Sequence, residues 1–67
     1  MKFIPNVIID GPIIKDIEIK RVLVKEITDA LEKAYKLDRN AYVVIIRENS
    51  PENVGVGGSL IIDRRES

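Results

Sequence analysis

Two short runs of branched apolar residues, Val7-Ile8-Ile9 and Val43 to Ile46, flank one long amphipathic stretch, and neither run alternates with polar residues. Successive side chains of a strand point to opposite faces, so each run presents apolar surface on both sides of its sheet. One helix covers only one face of a two-stranded sheet. A chain built this way leaves its second sheet face to be covered by something else.

The residues between the runs set the order of elements. Asp10-Gly11-Pro12 closes the first strand, Pro5 to Asp10, with strong turn chemistry. Asp16 is placed to cap a helix predicted over Ile17 to Lys36, in which Leu23, Ile27, Ala30, Leu31 and Ala34 recur at helical spacing. Lys25, Asp29, Glu32 and Lys36 fall on its other side. Asp16 with Lys20, Asp29 with Lys33 and Glu32 with Lys36 each put an acid four residues ahead of a base, the favourable order for a surface pair.

Asp38-Arg39-Asn40 ends the helix, and Tyr42 to Ile46 is predicted as a second strand ending near Arg47. Strand, long helix, strand implies a right-handed βαβ unit with parallel strands. A polar loop, Glu48 to Asn53, leads to a glycine-rich segment, Val54 to Ile62, that suits a bent strand or hairpin. The fold class is therefore α/β (α+β): two parallel strands, one long helix and a C-terminal glycine-rich hairpin, completed by oligomerisation. Residues 1–67 form a single domain, with 1–4 an extension ahead of Pro5 and 63–67 a charged tail.

Size supports the same conclusion about partners. Ordering 67 residues costs about 1.5 kcal/mol each, roughly 100 kcal/mol in all, which so small a core barely offsets. Cysteine and histidine are both absent, which removes disulfides and the usual zinc ligands. A homo-oligomer is the expected supplement. Eleven basic residues balance eleven acidic ones, so no net field favours nucleic acid or an anionic membrane. The apolar runs are far shorter than the roughly 20 residues that span a bilayer, and no signal-peptide pattern opens the chain, so a cytoplasmic location is expected.

Few residues invite a chemical reading. Val54-Gly55-Val56-Gly57-Gly58 precedes no helix and lacks the Lys-Ser/Thr of a phosphate loop, so its glycines fit a tight hairpin better. Asp10, Asp16, Glu48 and Glu52 read as turn, cap or loop carboxylates, and no spacing pairs them. Arg47 ends an apolar strand on the face of Val43 and Ile45. It is either a carboxylate-binding guanidinium or a solvated or intersubunit ion pair. Pro5 heads its strand, a position that proline tolerates for purely structural reasons. A proline at a chain terminus is also a secondary amine and a base, whereas an internal proline nitrogen is a tertiary amide.

Pro5-Asn6-Val7-Ile8-Ile9-Asp10-Gly11, the amphipathic helix, and Val43 to Glu48 through Val54-Gly55-Val56-Gly57-Gly58 together resemble the 4-oxalocrotonate tautomerase family over positions 5 to about 62. The resemblance implies βαβ chains assembled as a homo-oligomer, a hexamer built as a trimer of dimers. It also implies a cofactor-free keto-enol tautomerase acting on small unsaturated or keto acids, with an amino-terminal proline as general base. Arginines from neighbouring chains would hold the carboxylate of the substrate.

On that resemblance the catalytic proline falls on Pro5. The arginine of the turn falls on Pro12, the strand arginine on Val43, and the aromatic before the glycines on Val54. All three supporting positions depart from the family pattern. Arg47 is one strand repeat beyond Val43 on the same face, about 13 Å along, and is a candidate replacement; Arg39, Arg64 and Arg65 are others. With Met1 to Ile4 in place, Pro5 is an amide and Phe3 and Ile4 extend toward the pocket. The alternative function is then a catalytically inactive oligomeric relative whose extension fills that pocket.

Overall fold

The computed structural model describes residues 4–64. Strand β1 is Asn6–Gly11, helix α1 is Ile17–Tyr35 and strand β2 is Val43–Glu48. The short strands β3, Gly55–Val56, and β4, Ser59–Leu60, follow, with 3-10 turns at Arg39–Ala41, Pro51–Asn53 and Ile61–Asp63. β1 and β2 pair in parallel from Asn6 opposite Val43 to Gly11 opposite Glu48, and β3 and β4 form a separate antiparallel ribbon. The ladder continues past both strand ends: the Val43 N–H donates to the Pro5 carbonyl at 3.4 Å and the Asn49 N–H to that of Gly11 at 2.8 Å. This is the expected βαβ unit with a C-terminal hairpin.

Local chemistry explains where the elements stop. The Asp16 carboxylate accepts the Glu18 N–H at 2.9 Å, taking up one of the donors a helix start leaves free. At the other end Lys36 turns left-handed at φ 57 and donates its N–H to the Glu32 carbonyl at 2.9 Å. Lys36 therefore caps the helix instead of continuing it. Gly57 and Gly58, at φ 62 and 88, make the two-residue turn of the hairpin, where a β-carbon would be strained.

The three helix-surface pairs expected from spacing give way to other pairs, one of the same i,i+4 range and the rest reaching further along the chain. Asp29 accepts from Lys25 at 2.9 Å and from Arg39 at 2.9 Å, and Arg39 also donates to Glu32 at 2.6 Å. Lys20 reaches Glu48 at 2.9 Å instead of Asp16, whose carboxylate caps the helix. Glu48 also accepts the Ile14 N–H at 2.7 Å. It is therefore not a free loop carboxylate: it ties the end of β2 to the β1–α1 connection and to α1.

Burial alternates along both strands, with Val7, Ile9, Val44 and Ile46 half-buried on one face. Ile8, Val43 and Ile45, on the opposite face, are 49%, 40% and 44% exposed. Among the described residues Tyr42 is the buried apolar one; its hydroxyl accepts the Leu37 N–H at 2.8 Å and lies 3.3 Å from the Leu37 carbonyl. Among the described residues no side chain is fully enclosed. The radius of gyration is 15.8 Å, against about 11 Å for a compact domain of this length. No described helix is long and apolar enough to cross a membrane.

Candidate active site

Pro5 stands immediately before β1 and is half-buried. Its carbonyl joins the ladder through Val43, so the register fixes it beside the start of β2. At the far end of the same sheet lies an apolar cleft of about 520 Å³. Gly11, Pro12, Pro51, Val54 and Ile61 make its walls, and Asp10 and Asn49 contribute its polar groups. The six residues of β1 separate the two features, a span of about 20 Å at 3.3 Å per residue. Pro5 and the cleft of its own chain therefore lie at opposite ends of the sheet.

The cleft follows from the local turns. Asp10-Gly11-Pro12 carries the chain off β1, while Ser50 caps the 3-10 turn at Pro51–Asn53 by accepting the Glu52 N–H at 3.2 Å. That turn delivers Val54, whose carbonyl accepts the Ile61 N–H at 2.8 Å and so folds Ile61 back across the hairpin base. Arg64 holds the ribbon from outside by donating to the Val56 carbonyl at 2.8 Å.

Arg47 lies opposite Asp10 in the register, with its Nε 4.0 Å from the carboxylate and more than half of its side chain exposed. It is four residues along β2 from Val43, so within one chain it belongs to the cleft end and not to Pro5. Arg39 is held on the helix by Asp29 and Glu32, and those hydrogen bonds, Asp29 foremost, raise its pKa above the ordinary arginine value. The Lys20 ammonium, aided by the Ile14 N–H, pulls the Glu48 pKa below the usual carboxylate range; Lys25 and then Arg39 do the same for Asp29.

Of the residues singled out in the sequence, Val54 lines the cleft, Arg47 stands beside its carboxylate, and Pro5 and Arg39 lie elsewhere in the chain. Phe3 and Arg65 fall outside the described residues. Asn49, Pro51 and Ile61 were not anticipated as lining residues. For Ile61 the usable signal was the Gly57-Gly58 turn, which sends the following apolar residues back toward Val54.

A family model described as a tautomerase enzyme matches residues 5–64. The chain belongs to the tautomerase family. This tautomerase is similar to DmpI of Archaeoglobus fulgidus, at 42% identity and a TM-score of 0.77, over 88% of this chain and 100% of that one. It also resembles YwhB, a homologue of 4-oxalocrotonate tautomerase, at 26% identity and a TM-score of 0.82, over 91% and 100% of the two chains. DmpI of Helicobacter pylori follows at 26% identity and a TM-score of 0.73, over 87% and 97%. No curated protein matches the tautomerase significantly.

Proposed function

We propose that this chain is a cofactor-free keto-enol tautomerase of small unsaturated or keto acids, with Pro5 as the general base when its nitrogen is a free terminal amine. The observation that carries the reading is the family match, which begins on the proline that heads β1. As an amine, Pro5 takes a proton from the enol or from the carbon next to the carbonyl and returns it to the other end of the conjugated system. A terminal amine has an ordinary pKa near 8, and apolar surroundings shift it down toward neutrality, where it is a free base.

The separation of Pro5 from the cleft of its own chain supports a composite site, in which the proline of one copy meets the cleft of another. A homohexamer of paired dimers would bring the two ends together and cover Ile8, Val43 and Ile45. Arg47 is the better candidate for the substrate carboxylate, because Arg39 would first have to leave two carboxylates.

Intact mass of the protein from its native source tests the state of the nitrogen; a chain that still carries Ile4 ahead of Pro5 would refute the amine mechanism. A chain beginning at Pro5 should ketonise phenylenolpyruvate, and Pro5→Ala in that chain should be slower by about 10²–10⁴, the usual contribution of a general base. Equal rates would reject the role of Pro5.

A further inference from the structure

The cleft at the end of the sheet has a chemistry of its own. Its five wall residues, Gly11, Pro12, Pro51, Val54 and Ile61, offer no side-chain hydrogen-bond donor, and none of its described lining residues is a cation. About 520 Å³ is a volume typical of small-molecule sites, well above what a single ring fills. Among the described lining residues the one charged group, Asp10, is an anion whose side chain is more than half exposed and lies 4.0 Å from Arg47, which marks the open edge of the cleft.

A carboxylate pushed into such a cleft loses its water, meets the neutral Asn49 amide but no cation among the described lining residues, and faces Asp10. An alkyl or aryl group entering it gains apolar contact. A carboxylate left at the rim meets the half-exposed guanidinium of Arg47, which can turn from its loose contact with Asp10 to a closer one.

We infer that the cleft selects monocarboxylates with an apolar tail over dicarboxylates, the tail lying against Pro12, Val54 and Ile61 and the single carboxylate held at the rim by Arg47. The inference rests on the tautomerase reading only for calling the occupant a substrate. The selectivity itself is a property of binding.

The test therefore uses binding alone. Methyl groups of Val54 and Ile61 in the full chain are followed by NMR while 3-phenylpropionate, 3-phenylpropanamide or 4-(2-carboxyethyl)benzoate is added. The monoacid should shift both methyl signals and bind at least tenfold more tightly than the diacid, whose second carboxylate would have to enter the cleft. Arg47→Ala should remove the preference for the monoacid over its amide while leaving the amide's affinity within about twofold. Asp10→Asn should narrow the gap between monoacid and diacid. A diacid that binds as tightly as the monoacid would overturn the inference. So would unmoved Val54 and Ile61 signals with every probe, which would mean that another part of the assembly fills the cleft. Because no turnover is measured, these outcomes stand apart from whether Pro5 is a base.

Discussion

The uncovered sheet face makes Ile45→Lys the most demanding perturbation. Ile8, Val43 and Ile45 keep 49%, 40% and 44% of their surface in water in the isolated chain. Full burial of such a side chain stabilises by about 1.5–3 kcal/mol, so covering the exposed part adds about 1 kcal/mol per residue. Three residues on each of two facing chains give about 6 kcal/mol for the contact. Ile45→Lys deletes its share on both sides, about 2 kcal/mol, and brings two like charges into an apolar interface at a cost of several more. The sum cancels the contact, and its dissociation constant should rise by at least about 10³. Sedimentation velocity across a hundredfold range of concentration reads the result directly: the parent chain should sediment as an oligomer and Ile45→Lys as a much smaller species with a lower melting temperature. Ile45→Val, which keeps the face apolar, should remain assembled. An Ile45→Lys protein that sediments and melts like its parent would show that this face is not an interface and would remove the main physical support for a composite site.

Three further outcomes follow from the tertiary contacts. Tyr42→Phe leaves the Leu37 N–H without its 2.8 Å acceptor and should cost about 1 kcal/mol, a fall of several degrees in melting temperature. Gly58→Ala, at φ 88, should cost about 1–2 kcal/mol, whereas Gly11→Ala, where an added β-carbon meets nothing within 4 Å, should leave the melting temperature unchanged. Glu48 and Asp29 are both held below their ordinary pKa values in the folded chain, so the unfolded chain binds protons more readily. The stability they contribute is then present above the unfolded values, 4.5 and 3.8, and is lost as pH falls through the lower folded ones. Glu48→Gln should flatten this acid limb of a stability-versus-pH profile from chemical denaturation; an unchanged limb would show that the tie to Lys20 and Ile14 carries no linkage.

Much of this architecture can be read from local chemistry. The β-branched runs, the Asp16 cap and the Gly57-Gly58 turn each act within a few residues, and each formed the element expected of it. What the sequence hides are the choices among partners. Spacing along one helix offers Lys20 the carboxylate of Asp16. Only the packed chain offers it Glu48, 28 positions away, and brings Arg39 back onto Asp29 and Glu32. The site divides in the same way. Pro5 and Arg47 stand out as residue types and Val54 only by its place before the glycines in the family resemblance, but that Pro5 and Val54 lie at opposite ends of the sheet depends on the parallel register and on the return of the chain through Ile61.

A chain with no fully enclosed side chain among its described residues has little interior of its own to hold it folded. If neighbours supply the rest, folding obeys mass action: each tenfold dilution of a chain whose folded form exists only in assemblies lowers its apparent stability, and does so more steeply the more copies the assembly contains. Synthesis rate then acts as a threshold control. Below the threshold concentration chains are unfolded and open to proteolysis, and above it they become folded together, so the amount of protein present would decide whether any one molecule has a structure.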